Sequence, residues 1–297
     1  MRRLRGRDRG FSNFRRGWYA SLLVLFGHAP QHYWPPHIQD VALAAEKVER
    51  SIAATSQSDQ RSPSSGQRSP VKVPILVYHH IRQSVPVGSR AERRLTVTVE
   101  IFDQQMKFLQ ENGCHIITFT TLVDHLKEAS ELPAKPVIIS FDDGWEDQFV
   151  YALPLLQKYN YTATFFVVTN FVGSSGFLSW SQLRTMLVDG MEVGSHSRSH
   201  PRLDRINNPD VLRDQIYTSK QILESRLRAA VDEFAYPYGS YNATTASAVR
   251  WAGYKTARGC CIGRVQSDPY ALSAVMAPND LAKFAKYLEA RPPSRRN

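Results

Sequence analysis

From about residue 71, short apolar runs alternate with stretches of helical spacing. The apolar runs have the length of β-strands and predict seven of them. The strand candidates are 73–78, 115–118, 137–141, 162–168, 191–195, 233–236 and 254–257.

Capping and stop signals mark helices between these strands. They predict a helix with Phe102, Gln105, Met106 and Leu109 on one face, ended by Gly113; one opened by the capping box at 179–182 and ended by Gly190; one from Asn208-Pro209 to about Arg228; and one from Ala243 to Ala252, ended by Gly253. Strand–helix alternation of this kind indicates an α/β fold with parallel strands and crossover helices, as an open sheet or a barrel. The sequence has no GxGxxG motif and no P-loop, so it predicts no nucleotide cofactor.

The positive charge of the chain is concentrated at its start. The formal net charge is +10 over 297 residues, and residues 1–70 hold eleven Lys/Arg against five Asp/Glu, or +6, which leaves +4 for the rest. We therefore expect a basic N-terminal extension over 1–70, one catalytic domain over 71–290 and a short basic tail over 291–297. Within the extension, 38–54 shows helical spacing and 55–70 has the Ser/Gln/Arg/Pro composition of a linker.

The first thirty residues resemble an export signal of unusual proportions. Seven arginines between Arg2 and Arg16 precede the apolar run 18–26, and Gly27-His28-Ala29 offers a cleavage site after Ala29. The run is shorter than the roughly 20 apolar residues that span a bilayer, so weak membrane association is the most it predicts. A disordered basic extension or a misassigned start codon is the alternative. The three cysteines, Cys114, Cys260 and Cys261, form no disulfide framework and are expected as packed free thiols, with one bridge from Cys114 to Cys260 or Cys261 after export as the alternative.

Acidic residues and histidines follow two of the predicted strands. Asp142 and Asp143 come directly after 137–141, and His196 and His200 follow 191–195. Taken alone, the acidic pair with the next glycine also fits a solvated turn. Because the carboxyl ends of parallel strands converge on one face of a sheet, both pairs are expected at the same ligand-binding edge.

One carboxylate and two imidazoles form a candidate site for a catalytic divalent metal. Asp143, His196 and His200 would supply three ligands and leave a position open, as catalytic zinc requires, with Asp142 left for proton transfer. The helical zinc-protease pattern does not fit, because no glutamate follows His196 directly and Pro201 disfavours helical backbone at His200. Glycoside hydrolysis would need two carboxyls about 5 Å or more apart, and it would leave the histidines unused.

Two further strand ends carry candidate residues. The run 73–78 ends at His79 and His80, for which a structural role is the alternative. The segment 234–239, Phe-Ala-Tyr-Pro-Tyr-Gly, is a strand followed by an aromatic-proline turn, which can present a backbone N–H to a ligand. Packing is the alternative for the Tyr238 side chain.

In combination and in this order, the motifs resemble those of the polysaccharide deacetylases, family 4 of the carbohydrate esterases. The motifs are Phe141-Asp142-Asp143-Gly144, Thr162-Ala163-Thr164-Phe165-Phe166, Leu178-Ser179-Trp180, His196-Ser197-x-x-His200 and Tyr236-Pro237-Tyr238, and the resemblance covers about residues 73–280. It implies a distorted (β/α) barrel, removal of acetyl groups by hydrolysis, and a divalent metal, usually zinc, that cobalt or nickel can replace.

The resemblance also implies roles for individual residues. Asp142 is the expected catalytic base, Asp143, His196 and His200 the metal ligands, and the backbone N–H of Tyr238 the oxyanion donor. Many members carry a catalytic-acid histidine in a late Leu-x-His motif, but 272–276 reads Leu-Ser-Ala-Val-Met. The early Tyr78-His79 instead resembles the branch that acts on exported poly-N-acetylglucosamine, so the expected acid is His79, with His80 the second candidate.

Other positions depart from the family pattern or stay open. Phe234 and Ala274 stand where related sequences often have an arginine and another basic residue, which leaves open what orients Asp142. Tyr236, Pro237 and Trp180 are expected to contact substrate. Besides Trp180, the aromatics Trp145 and Phe171 are candidates for stacking on sugar rings, with packing as the alternative.

The expected function is removal of N-acetyl groups from a polysaccharide that contains N-acetylglucosamine. Poly-N-acetylglucosamine is the first choice by resemblance, followed by peptidoglycan and chitin-like glycans, and the expected location is extracytoplasmic or at the cell envelope. An acetyl-ester esterase acting on xylan and a non-catalytic glycan-binding relative are the alternatives. A nucleic-acid binder that uses the basic extension is a further one, but the sequence has no base-reading module.

Overall fold

A computed structural model describes residues 70–127, 130–260 and 263–289. The predicted export signal, the helical spacing at 38–54, all but the last residue of the predicted linker and the basic tail at 291–297 lie outside the described residues. Among the described residues, no helix is both long enough and apolar enough to cross a bilayer.

The described residues contain twelve strands. They are β1 (Val71–Lys72), β2 (Ile75–Tyr78), β3 (His80–Arg82), β4 (Thr96–Thr98), β5 (His115–Ile116), β6 (Pro136–Phe141), β7 (Thr164–Val167), β8 (Glu192–Ser195), β9 (Glu233–Ala235), β10 (Thr256–Arg258), β11 (Val265–Gln266) and β12 (Val275–Met276).

Eight of these strands form one parallel sheet. Its order is β10-β9-β8-β7-β6-β2-β12, and β5 pairs with the first residues of β6. The sheet curls into an open half-barrel with helices around it, which confirms the predicted distorted (β/α) barrel. Strands β2 and β7 are buried along their whole length and β6 along all but its first residue, as expected for parallel strands covered on both faces.

Nine α-helices connect or cover the strands in the described part of the chain. They are α1 (Arg90–Leu95), α2 (Val99–Glu111), α3 (Phe119–Lys127), α4 (Leu153–Lys158), α5 (Trp180–Val188), α6 (Pro209–Arg213), α7 (Ser219–Leu227), α8 (Ala243–Trp251) and α9 (Leu281–Glu289). One π-helical turn, Gln148–Ala152, leads into α4, and another, Asp214–Thr218, joins α6 to α7.

The predicted helix ends agree with the structure. Ser179 and Gln182 form the capping box of α5, and the Asn208 side chain accepts hydrogen bonds from the backbone N–H groups that open α6. The predicted helix from 208 to about 228 contains the second π-helical turn, which the sequence pattern did not predict.

Aromatic side chains fill the core behind the carboxyl ends of β2, β6 and β7. The Phe141 ring stacks on Phe165 at 4.6 Å between centroids and lies 5.3 Å from Tyr78. The Tyr78 hydroxyl donates to the buried side chain of Gln105 at 2.8 Å. These contacts fix the strand ends from which the candidate residues emerge. Cys114 is the expected free thiol, but Cys260 is disulfide-bonded, so the prediction of free thiols is wrong there.

Candidate active site

The candidate residues meet at the carboxyl edge of the half-barrel. Strand β2 ends one residue before His79, β6 ends at the residue before Asp142, and β8 ends at the residue before His196. Strand β9 leads into the turn with Tyr238, and β10 ends with Arg258. The topology thus brings together residues that lie up to 179 positions apart in the sequence.

Asp143, His196 and His200 point one ligand atom each at a common centre. Nε2 of His200 lies 3.2 Å from Nε2 of His196 and 3.4 Å from Oδ1 of Asp143, and the third side of this triangle is 3.6 Å. Tetrahedral zinc with bonds of about 2.0–2.1 Å separates its ligand atoms by about 3.3–3.4 Å. The three spacings therefore suit a small divalent cation.

The tautomer of His196 also suits a metal ligand. Its Nδ1 lies 2.7 Å from the carbonyl oxygen of Ala235, which can only accept a hydrogen bond, so Nδ1 carries the proton. In the neutral ring, Nε2 then presents its lone pair to the centre, an arrangement typical of metal-binding histidines. Burial and the neighbouring His196 lower the pKa of His200 below the usual histidine value, which favours the unprotonated form that binds metal.

Trp145 makes a hydrogen bond to the candidate carboxylate ligand, Asp143. Its indole N–H donates to Oδ2 of Asp143 at 3.1 Å, which leaves Oδ1 facing the two histidines. The indole is itself stacked on Phe177 at 4.3 Å. Trp145 was a candidate sugar contact in the sequence, and the structure shows its contact with Asp143.

The loop that carries both histidines is fixed by local hydrogen bonds. The Ser197 hydroxyl accepts from the backbone N–H of His200 at 3.0 Å, and the Gln215 side chain accepts from the N–H of Ser199 at 3.0 Å. Gln215 belongs to the π-helical turn between α6 and α7, and such turns recur at functional sites.

Asp142, the expected base, is 5% exposed and pairs with a buried arginine. A terminal nitrogen of Arg258 donates to Oδ1 of Asp142, and the Arg258 guanidinium lies over the Phe166 ring. Burial of the carboxyl opposes ionisation, but Arg258, His196 and His79 outweigh it, and the pKa of Asp142 lies below its usual value. The carboxylate is therefore ionised at neutral pH, as a base must be.

Both candidate acids lie beside this edge, but in different environments. Nε2 of His79 is 4.0 Å from Oδ2 of Asp142. Burial lowers the pKa of His79, and Asp142 and Asp143 only partly offset that effect. His80 instead contacts Asp147 through Nδ1 at 2.7 Å and Arg82 through Nε2 at 3.3 Å, so both of its ring nitrogens have partners other than the base. This geometry favours His79 over His80 as the acid.

The other expected residues lie in different environments. Three of them, Tyr236, Pro237 and Tyr238, belong to the turn after β9, and Trp180 begins α5. Tyr238 is 62% exposed and its ring lies 4.6 Å from that of His200. Tyr236 is buried, and its hydroxyl donates to the carbonyl of Tyr270, so its side chain does not face the site. Pro237 is buried in the turn, and Trp180 packs at the start of α5 with Arg226 over its ring. The interpretation of Tyr236 and Trp180 as substrate contacts has no support in this placement.

The backbone at the site is left-handed at four residues other than glycine. Asp143, Ser197, His200 and Tyr238 have φ values of 72°, 67°, 61° and 60°. Residues other than glycine rarely adopt this backbone conformation, and those that do cluster at active sites.

Sequence reasoning missed three residues that support the site: Arg258, Gln215 and Gln148. Arg258 follows the predicted strand 254–257 at its carboxyl end, a position that points to the site edge. The two glutamines belong to the π-helical turns, and no sequence signal marked those turns.

Comparison with known proteins gives concordant matches. Residues 129–257 match the family model described as polysaccharide deacetylase. The putative polysaccharide deacetylase YxkH of Bacillus subtilis is 27% identical over 275 residues, which cover 91% of this chain and 95% of that protein. The poly-beta-1,6-N-acetyl-D-glucosamine N-deacetylase of Staphylococcus epidermidis is 30% identical over 190 residues, covering 56% of this chain and 65% of that protein.

A solved structure has the same arrangement of elements. The Streptococcus pyogenes deacetylase PplD in complex with acetate superposes with a TM-score of 0.66 and 29% identity, and the match covers 75% of this chain and all of that one.

Proposed function

The chain contains a polysaccharide deacetylase domain of carbohydrate esterase family 4, and from this premise we propose that it removes N-acetyl groups from a polysaccharide containing N-acetylglucosamine. The observation that carries the proposal is the convergence of Asp143, His196 and His200 next to the buried carboxylate of Asp142. This is a metal-ligand set with a base beside it, as metal-assisted hydrolysis of an amide requires.

We assign the cation to zinc, which cobalt or nickel can replace. The donor set of two imidazole nitrogens and one carboxylate oxygen is one that catalytic zinc uses. A cation held there supplies Lewis-acid stabilisation of developing negative charge and makes water a better nucleophile at neutral pH.

Asp142 is the proposed general base. Its ionised carboxylate accepts a proton from the water that attacks the acetamide carbonyl carbon. Arg258 keeps that carboxylate charged and fixes the direction of Oδ1, while Oδ2 lies on the side of His79 and His196.

His79 is the proposed general acid. The amine leaves poorly as an anion, so its nitrogen has to receive a proton as the bond to the acetyl carbon breaks. Burial lowers the pKa of His79, so its protonated form is a stronger acid than histidine in water but is the minor form at neutral pH. The backbone N–H of Tyr238, a residue whose ring lies 4.6 Å from that of His200, is the proposed donor to the oxyanion. The products are acetate and a glucosamine unit.

The proposed substrate is poly-N-acetylglucosamine, followed by peptidoglycan and chitin-like glycans. The similarity to the poly-beta-1,6-N-acetyl-D-glucosamine N-deacetylase of Staphylococcus epidermidis supports the first of these substrates. Such polymers lie outside the cytoplasm, and we propose an extracytoplasmic or envelope location, with residues 1–70 as an appendage to a catalytic domain over 71–290.

A non-catalytic glycan-binding protein is the second candidate. The missing Leu-x-His motif favours it, but the intact base and ligand set argue against it. An esterase acting on acetylated xylan would use the same residues on an oxygen leaving group.

Acetate release by the full-length protein tests the proposal. The assay uses N-acetylglucosamine oligomers with added zinc or cobalt, and compares wild type with Asp142→Asn and His196→Ala. We expect turnover by wild type alone, a normal metal content in Asp142→Asn and a reduced one in His196→Ala. Full activity of Asp142→Asn would sink the assignment of the base, and metal-loaded wild type that deacetylates no glycan would favour the binding protein.

A further inference from the structure

The buried side chain of Gln148 connects the two segments that carry the proposed acid and base. Its amide nitrogen lies 2.8 Å from the carbonyl oxygen of His79 and 2.6 Å from that of Asp142. Gln148 is fully buried and is the first residue of the π-helical turn before α4. Both N–H groups of one amide are thus used on the backbones of the two proposed catalytic residues.

The sheet alone does not fix these two residues relative to each other. The β2–β6 ladder ends at the pair Tyr78 and Phe141, and the last backbone bond runs from the Asp142 N–H to the Tyr78 carbonyl. Beyond that point the carbonyls of His79 and Asp142 are joined by the amide of Gln148.

The residue before Gln148 holds the same segment. Asp147 accepts from the backbone N–H of Ile81 at 3.2 Å and from the His80 ring at 2.7 Å. The side chains of Asp147 and Gln148 therefore bind three consecutive residues, His79, His80 and Ile81.

The other end of the amide is left without a partner. The Gln148 side-chain oxygen is buried, and in the described part of the structure it accepts no hydrogen bond. An unsatisfied buried acceptor costs about 1–3 kcal/mol. The two donated bonds serve the backbone carbonyls of His79 and Asp142, which an apolar side chain of similar size would leave without these donors.

We propose that Gln148 is a positioning residue that sets the spacing of the acid and the base by bridging the carbonyls of His79 and Asp142. The inference rests on the proposed function. Nε2 of His79 and Oδ2 of Asp142 are 4.0 Å apart, and both must reach one substrate amide. A misplacement of about 1 Å can lower a rate by about a hundredfold.

Gln148→Met keeps the volume of the side chain and removes both donors. We expect kcat to fall by about 10- to 100-fold, with KM changed less than about twofold and metal content unchanged, because the ligands and the substrate surface are untouched. In a His79→Ala background the same substitution should cost less than about threefold in kcat, because the acid that it positions is already gone.

Gln266→Met is the matched control. The Gln266 amide nitrogen also bridges two backbone carbonyls, those of Val73 and Ser273, both at 2.8 Å. Val73 precedes β2, so this bridge lies at the opposite end of that strand from His79. The control loses these two bonds and also the bond that the Gln266 side-chain oxygen accepts from the Ser273 N–H at 2.8 Å, so it removes at least as much hydrogen bonding as Gln148→Met, and it should keep the wild-type kcat.

The outcomes separate the inference from the proposed function. Wild-type kcat in folded, metal-loaded Gln148→Met would overturn the inference, and so would an equal loss in Gln266→Met, which would show general destabilisation. If Gln148→Met does not fold, Gln148→Asn decides: its amide is one methylene shorter and reaches one carbonyl, and an unchanged kcat would overturn the inference. A metal-loaded wild type without deacetylase activity would remove the proposed function, and the inference with it.

Discussion

Replacement of Arg258 by methionine should shift the acid limb of the pH–activity profile to higher pH. In the wild type, burial of Asp142 opposes ionisation, and Arg258 is the first of the charges that outweigh it and keep the pKa of Asp142 low. Without the guanidinium, burial acts with less opposition and the pKa of Asp142 rises. The protonated carboxyl cannot accept a proton, so activity should be lost first at the acid end of the profile.

The expected size of the effect of Arg258→Met follows from the burial of both partners of the ion pair. The Arg258 side chain is 1% exposed and that of Asp142 is 7% exposed. Two unit charges about 4 Å apart attract by about 4 kcal/mol at an effective dielectric constant of about 20. Removing one partner of a buried pair costs about 3–5 kcal/mol of stability, and losing a well-placed base costs about 10²–10⁴-fold in rate. We expect effects of this size in unfolding free energy at pH 7 and in kcat/KM at pH 6.

The assay is kcat/KM for acetate release between pH 5 and pH 9, with urea unfolding at pH 7. Lys158→Met is the control, because it breaks an exposed 2.7 Å pair with Asp103 and such pairs contribute at most about 1 kcal/mol. Arg258→Lys keeps the charge and should retain part of the wild-type profile. A wild-type acid limb in folded Arg258→Met would refute the reasoning, as would a shift of the same size in the control.

Two further predictions concern the proposed metal ligand Asp143 and the amino-terminal end of the sheet, where Glu233 lies. Trp145→Phe removes the indole hydrogen bond to Asp143 and should weaken zinc affinity by about 10- to 100-fold; calorimetric titration of the metal-free protein checks this, and equal affinities would contradict it. Burial, followed by Glu192 and Asp232, raises the pKa of Glu233 to about 8. The native state thus keeps a proton that the unfolded chain releases, and stability falls as pH rises above about 4.5. Between pH 5 and pH 7 the wild type should lose about 2 kcal/mol more than Glu233→Gln, measured by urea unfolding, and parallel losses would contradict the effect of Glu233.

The strands of the parallel sheet could be predicted from the sequence because each one is marked by a local run of apolar residues. Each of the seven predicted strands overlaps a strand of the parallel sheet, with ends shifted by one or two residues. Strand β12 was missed because a two-residue strand is too short for periodicity to mark it. The candidate metal-ligand set was predictable because Asp143, His196 and His200 directly follow or lie close behind apolar runs.

The supporting contacts were not predictable, because they join distant positions through side chains. Arg258 pairs with Asp142 across 116 positions. No family motif marked it, since the motif arginine is replaced by Phe234. The roles of Gln148 and Gln215 depend on π-helical turns, in which one extra residue changes the direction of a side chain without altering the apolar pattern.

The left-handed backbone at Asp143, Ser197, His200 and Tyr238 limits how this protein can be engineered. Each such residue holds a conformation that costs about 1–3 kcal/mol, so the enzyme is less stable than its sheet and core would allow. Ser197→Gly would relieve one of these costs but would remove the hydroxyl that accepts from the His200 N–H. Thermostabilisation is therefore better directed at the amino-terminal ends of the strands, where Glu233 lies and where gains in stability do not trade against turnover.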